Sequence, residues 1–180
     1  MLKIYNQYQE FGVNGYYEKY SSKYYNPHQE KIKNIFIKHI KPFIKDKEIY
    51  NILDLACGDG LISRFVLDTK CNCNIEGCDP FFVNQYCHYS FSFEDIAKGK
   101  LEKYYDLVIC SYAFHLIKEE WKYDFLSNLS IQTNCFIIIT PSKKIKINHP
   151  LWKIEKEIRE DKITIIILSR NIKYTEYDYC

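Results

Sequence analysis

Four short runs constrain this chain more than anything else in it: "IYNILDL" (49–55), "YDLVIC" (105–110), "NCFIIIT" (134–140) and "KITIIILS" (162–169). They are apolar at successive rather than alternate positions, as strands covered on both faces must be. Between them the apolar period changes. Residues 29–44 carry Ile32, Ile35, Phe36, Ile40 and Phe43 at three- and four-residue steps, which predicts an amphipathic helix. Pro27 suits an extended approach to that helix, and Pro42 marks its last turn. Further helices are expected over 61–70, over 119–130 with Trp121, Phe125 and Leu129 in line, and over 149–160 with Trp152 and Ile158 apolar. A short helix is expected after Pro80, and two modest ones within the first 28 residues. A further strand is read at 74–78, and weaker ones at 89–93 and 172–179. Strand and helix alternating with short connections predict a doubly wound α/β fold: a mostly parallel seven-stranded sheet. The last two strands have little between them and should form an antiparallel hairpin at its edge. At 180 residues the chain reads as one domain, 1–180, with a helical segment at 1–45 ahead of the sheet-forming core at 46–180.

Composition narrows the class. Hydrophobic residues make up 47% and charged residues 27%, as in a soluble globular protein. A net charge of +2 is too mild to argue for nucleic acid. No basic stretch followed by an apolar one opens the sequence, and no apolar run approaches a membrane span, so a cytoplasmic or nuclear location is expected. Eight cysteines in such a location read as free thiols. Cys71, Cys73, Cys78, Cys87 and His88 cluster in sequence but do not repeat a C-x-x-C pair, so no metal site is assigned.

The functional signal is "NILDLACGDG" (51–60). Gly58 and Gly60, two of only six glycines, directly follow the apolar run that contains Asp54. Glycine is costly to order, so a pair at a strand end implies close approach to the backbone. In an α/β sheet that end is where ligands bind, and the helix that follows offers free N–H groups. The second strand ends in Asp79, 21 residues beyond Gly58, where an acid can hold the two hydroxyls of a ribose. A dinucleotide fingerprint would need glycine at position 63, which is Ser63, and Asp59 is ill suited to a pyrophosphate. Both facts favour a nucleoside ligand without phosphates.

These motifs resemble those of class I S-adenosylmethionine-dependent methyltransferases, with a Rossmann-like fold. "ILDLACGDG" is similar to the first motif of that family, with Ala56 in place of its first glycine. "IEGCDP" is similar to the second-strand motif, "FSFEDIA" to the adenine-capping segment, "YDLVICSYAFHLI" to the fourth-strand motif and "CFIIITPSKK" to the fifth strand. The resemblance spans roughly residues 49–140. It implies S-adenosyl-L-methionine as cofactor and S-adenosyl-L-homocysteine as product. It implies that Asp54 shapes the loop and the pocket for the methionine amino group, and that Ala56, Cys57, Gly58 and Gly60 lend backbone to the ligand. By the same resemblance Asp79 holds the ribose, and Pro80 and Phe81 lie against the adenosine. Asp95 would accept from the adenine amine with Ile96 against the ring, and Ser111 would lie beside the methionine portion. Asp95 also reads as a helix cap, and Phe81 as core.

Methyl transfer from a sulfonium is an in-line displacement that needs a base only if the nucleophile loses a proton as it attacks. His115, five residues past the fourth strand, is the candidate base; its other reading is packing beneath the loop. The Asp/Asn-Pro-Pro-Tyr motif of base amino-group methylation is replaced here by "CSYAF", and no Pro-Cys nucleophile is present. The segment "YYEKYSSKYYNPH" (16–28) would form a lid, its tyrosines mostly packing or surface residues in a chain with 17 of them. The acceptor, whether a small molecule, RNA or protein, is left open. The alternative function is a catalytically silent module of the same fold that serves a partner protein.

Overall fold

In the computed structural model, which describes residues 10–12, 15–17, 19–20, 26–141 and 145–172, the apolar runs lie side by side in one sheet. Its strands are β1 (Asn51–Leu55), β2 (Asn74–Cys78), β3 (Cys87–Tyr89), β4 (Leu107–Ser111), β5 (Cys135–Thr140), β6 (Trp152–Glu160) and β7 (Ile163–Arg170). The order across the sheet is β3-β2-β1-β4-β5-β7-β6. The first five strands pair in parallel, while β7 pairs antiparallel with both β5 and β6. This is the expected mostly parallel, seven-stranded architecture with an antiparallel hairpin at the C-terminal edge.

Successive side chains on a strand point to opposite faces, so each apolar run feeds two cores. Leu53, Val108, Cys110, Phe136, Ile138 and Leu168 pack on one side with Ile96, Phe125 and Leu129. Ile52, Leu107, Ile109, Ile137, Ile139 and Ile165 pack on the other with Ile32, Phe36, Ile62 and Phe65. The helices that cover these faces are α1 (Gln29–Ile35), α2 (Lys41–Asp46), α3 (Leu61–Asp68), α4 (Phe93–Ala97) and α5 (Glu119–Gln132). A π-helical turn, Phe36–Ile40, joins α1 to α2, so the helix expected over 29–44 runs on with one widened turn. Among the described residues no helix is long and apolar enough to cross a membrane.

Several local expectations differ. Residues 152–160 are not helical but form β6, which is mostly exposed and pairs with β7 alone. Its Lys and Glu residues suit a helix by propensity. Asp161 and Lys162 override them: both are left-handed, with φ of 50° and 68°, the turn chemistry that closes a two-residue hairpin. The charged side chains then serve an edge strand, where they discourage pairing with other chains. The hairpin partner of β7 is therefore β6, and the strand expected at 172–179 lies outside the described residues apart from Ile172. The strand read at 89–93 is shorter and earlier, at Cys87–Tyr89, because Ser92 caps α4. No helix follows Pro80; residues 81–86 form an irregular loop. Of the two expected N-terminal helices, residues 10–12, 15–17 and 19–20 are helical, residues 26–28 form a turn, and the remaining positions lie outside the described residues.

Candidate active site

The sheet changes direction between β1 and β4, whose connecting helices leave toward opposite faces, and a cavity of about 490 Å³ opens beyond their carboxyl ends. Its floor is the loop that leaves β1. Ala56 is left-handed at φ 56°, as is Gly58 at φ 55°. The Cys57 N–H donates to the Cys78 carbonyl at 3.1 Å, which ties the loop to β2. A β-carbon on Gly58 would meet nothing nearer than the Phe82 ring at 3.9 Å, so the loop presents bare backbone to the cavity.

Two carboxylates stand below that loop. Asp54 is 1% exposed, and its Oδ2 accepts from the Ser63 N–H at 3.0 Å and the Ser63 hydroxyl at 2.8 Å. Burial pushes its carboxyl up to about 7 against the pull of those two bonds. Asp79, at the end of β2, is also buried; its Oδ2 accepts from the Gly58 N–H at 3.0 Å and its Oδ1 from the Phe81 N–H at 2.9 Å. Burial raises it too, only partly countered by those backbone donors and the Phe82 N–H. The Cys57 thiol is pushed far up by burial and stays protonated.

Of the residues singled out by sequence, Asp54, Ala56, Cys57, Gly58, Asp79, Pro80, Phe81 and Ser111 line the cavity together. Gly60, Asp95, Ile96 and His115 do not. Gly60 is the left-handed cap of α3 at φ 78°, and its missing side chain makes room for the Tyr86 ring. Ile96 is fully buried in the core. Asp95 belongs to a capping box: its Oδ2 accepts from the Ser92 N–H and hydroxyl at 2.9 and 2.8 Å, the Ser92 hydroxyl accepts the Asp95 N–H at 3.1 Å, and Lys100 bridges to Oδ1 at 2.6 Å. From the segment around Asp95 the cavity is lined instead by Phe91, Ser92, Phe93 and Glu94, and Leu116 and Trp121 line it as well. His115 sits on a 3₁₀ turn (Phe114–Leu116) with its side chain exposed.

The segment read as a lid, 16–28, supplies Tyr17 and Asn26 to the wall; Phe11 and Gly12 were not singled out by sequence. Phe11, Gly12, Tyr17 and Asn26 roof the cavity, with Tyr17 stacked on Phe81 at 5.7 Å. Tyr112 follows β4 in a left-handed conformation, φ 59°, and stacks on His28. Among the described residues, two buried polar side-chain atoms lack a hydrogen-bond partner, Ser111 Oγ and Trp121 Nε1, and both belong to residues of this wall. Native proteins rarely leave such groups unpaired except where a ligand or water completes them. Among the described residues the cysteines are free, Cys71 and Cys73 with their sulfurs 3.0 Å apart just past α3, and no cluster of three metal-ligating side chains occurs.

No family model matches the chain. It is 27% identical over 187 residues to an uncharacterized protein of Schizosaccharomyces pombe, covering 78% of this chain and 75% of that one. Over 88 residues it is 31% identical to a malonyl-[acyl-carrier protein] O-methyltransferase of Ilyobacter polytropus, spanning 43% of this chain and 34% of that one. In three dimensions it is similar to the magnesium protoporphyrin IX methyltransferase of Synechocystis, solved with S-adenosylmethionine bound. That match has a TM-score of 0.55 at 12% identity and covers 93% of this chain and 96% of that one. The fold is that of class I S-adenosylmethionine-dependent methyltransferases.

Proposed function

We propose that this protein transfers a methyl group from S-adenosylmethionine to an acceptor molecule. One observation carries the reading: the Asp79 carboxylate, at the carboxyl end of β2, grips the Gly58 N–H of the β1 loop at 3.0 Å, at the edge of a cavity over the sheet's crossover point. That joins the acid and the bare backbone which an adenosyl ligand requires. The unpartnered Ser111 Oγ and Trp121 Nε1 fit the same group, because a nucleoside ligand brings both donors and acceptors to a wall that lacks them.

When bound, S-adenosylmethionine supplies an electrophilic methyl carbon on a positively charged sulfur. Asp79 would take the ribose hydroxyls with the lone pairs that the Gly58, Phe81 and Phe82 N–H groups leave free. Phe81 and Phe91 offer apolar faces to the adenine, and the Gly58 backbone borders the rest of the ligand. Asp54, poised near neutrality, ionises more readily beside a cation. Alignment and exclusion of water are the protein's share of such a displacement, and the roof of Phe11 and Tyr17 serves the second.

Calorimetry with S-adenosylhomocysteine tests the reading. Wild type should bind, and Asp79→Ala should lose on the order of 1–3 kcal/mol of that affinity. Silence of the wild-type protein at millimolar ligand would defeat it. A tritiated-methyl assay against fractionated cell extract then identifies the acceptor.

A further inference from the structure

The polar member of the roof is Asn26, which lines the cavity and is 8% exposed. Its Oδ1 accepts the backbone N–H of His28 at 2.9 Å, and its own carbonyl accepts from Gln29 at 3.2 Å, closing an Asn-Pro-His turn. An N–H must be met by oxygen, so this bond decides which way round the amide lies and leaves Nδ2 on the opposite edge. Among the described residues nothing accepts from Nδ2.

The turn is braced from the sheet. Tyr112 leaves β4 in the left-handed region, unfavourable for a residue with a β-carbon, and its N–H is held by the Ile139 carbonyl at 2.7 Å. That conformation swings the ring out to the His28 imidazole, with centroids 5.2 Å apart and planes at 30°. Burial raises the Tyr112 phenol to about 12, so it remains a neutral donor. Phe11 and Tyr17 add ring surface to the same cavity, Tyr17 stacked on Phe81. The charged side chains of the wall, Asp54, Asp59, Asp79, Glu94 and Lys118, all belong to the β1 loop and the segments around β2, α4 and α5 instead.

We propose that Asn26, Tyr112 and the aromatic roof form the methyl-acceptor subsite, that Asn26 Nδ2 orients the acceptor, and that the acceptor is a small, uncharged, flat molecule carrying a hydrogen-bond-accepting atom. The proposal rests on the methyl-transfer reading of the cavity. A neutral donor set desolvates a neutral polar group at little cost, whereas an ion brought to the same place would lose its hydration without a counter-charge. The Phe11, Tyr17 and Tyr112 rings among the lining residues favour a planar guest.

The test uses three probes that share one ring: benzamide (neutral), benzoate (anionic) and benzylamine (cationic). Each is titrated into protein saturated with S-adenosylhomocysteine and followed by ligand-observed NMR. Wild type should prefer benzamide by about tenfold over either ion. Asn26→Asp keeps an oxygen for the His28 N–H, so the turn survives, but it replaces the donor with a charge. It should weaken benzamide about tenfold and make benzylamine the favoured probe, with S-adenosylhomocysteine affinity changed less than about twofold. The proposal is overturned if wild type prefers an ion or binds none of the three while still binding S-adenosylhomocysteine, as a protein or RNA acceptor would require. It is overturned equally if Asn26→Asp weakens S-adenosylhomocysteine and leaves the probes alone, which would put Asn26 at the amino-acid end of the cofactor. Failure of wild type to bind S-adenosylhomocysteine at all sinks the methyl-transfer reading, and this proposal with it.

Discussion

Asp54 and Ser63 are joined twice: one carboxylate oxygen of Asp54 takes both the N–H and the hydroxyl of Ser63, locking the end of β1 to the first turn of α3. The pair is buried, and that burial lifts Asp54 from the ordinary 3.8 to about 7. Between roughly pH 4 and 7 the folded protein keeps a proton on this carboxyl that the unfolded chain has released, so the group's contribution to stability falls as pH rises through that window. Asp54→Asn retains an oxygen for Ser63 and has nothing to ionise. It should match wild type near pH 4 and exceed it near pH 8 by on the order of 5 °C in melting temperature. Thermal melts of both proteins across that range check this. Curves that stay parallel would mean the carboxyl is not desolvated.

The two glycines of the β1 loop should separate by substitution. At Gly60 a β-carbon would collide with the Tyr86 ring, in a left-handed backbone, whereas at Gly58 the space beyond is open. Gly60→Ala should therefore cost roughly 2–3 kcal/mol in urea denaturation, with part of the loss recovered in Gly60→Ala combined with Tyr86→Ala. Gly58→Ala should cost only about 1 kcal/mol of stability while reducing S-adenosylhomocysteine affinity at least as much. Equal effects of the two on both measurements would contradict this division.

Asp95 caps α4 rather than facing the cavity. Lys100 and Ser92 hold its carboxyl down at about 2, so its contribution to stability is present above about pH 4 and fades as pH falls through the folded value. Asp95→Ala should lower stability at neutral pH by about 1–2 kcal/mol with cofactor affinity unchanged. A tenfold loss of S-adenosylhomocysteine binding in that variant would restore an adenine contact.

His115 points to solvent from the turn after β4, while its neighbours Leu116 and Ile117 line the wall. His115→Ala should leave S-adenosylhomocysteine binding within about twofold of wild type. Once an acceptor is known, a rate that falls a hundredfold with loss of its acid limb would make this histidine the base after all.

What could be read in advance was whatever chemistry and chain order express together. Asp54, Gly58 and Asp79 announce themselves because an acid inside an apolar run, bare backbone at a strand end and a second acid at the next strand end have few other uses in common. Asp95 does not, because Ser-x-x-Asp spacing serves a helix cap and an adenine contact equally well. Gly60 follows the loop pattern, yet its partner Tyr86 is 26 residues away and contact at that range leaves no local trace. Strand β6 was hidden by helix-favouring Lys and Glu, since the deciding information sits in the backbone of Asp161 and Lys162. Tyr112 and Asn26 acquire their places from a dihedral angle and a turn, neither of which a residue name encodes.

Strand β7 lies inside the sheet, with β5 on one side and β6 on the other, although it is made after both. On the ribosome the parallel half can assemble early, but the flank of Cys135–Thr140 stays open until residues as far as Arg170 have cleared the exit tunnel. For that interval the nascent protein displays a ready template of five consecutive apolar residues, Cys135–Ile139, ending in Thr140, to any neighbouring polypeptide. Late insertion of one strand is thus what stands between this fold and self-association during synthesis.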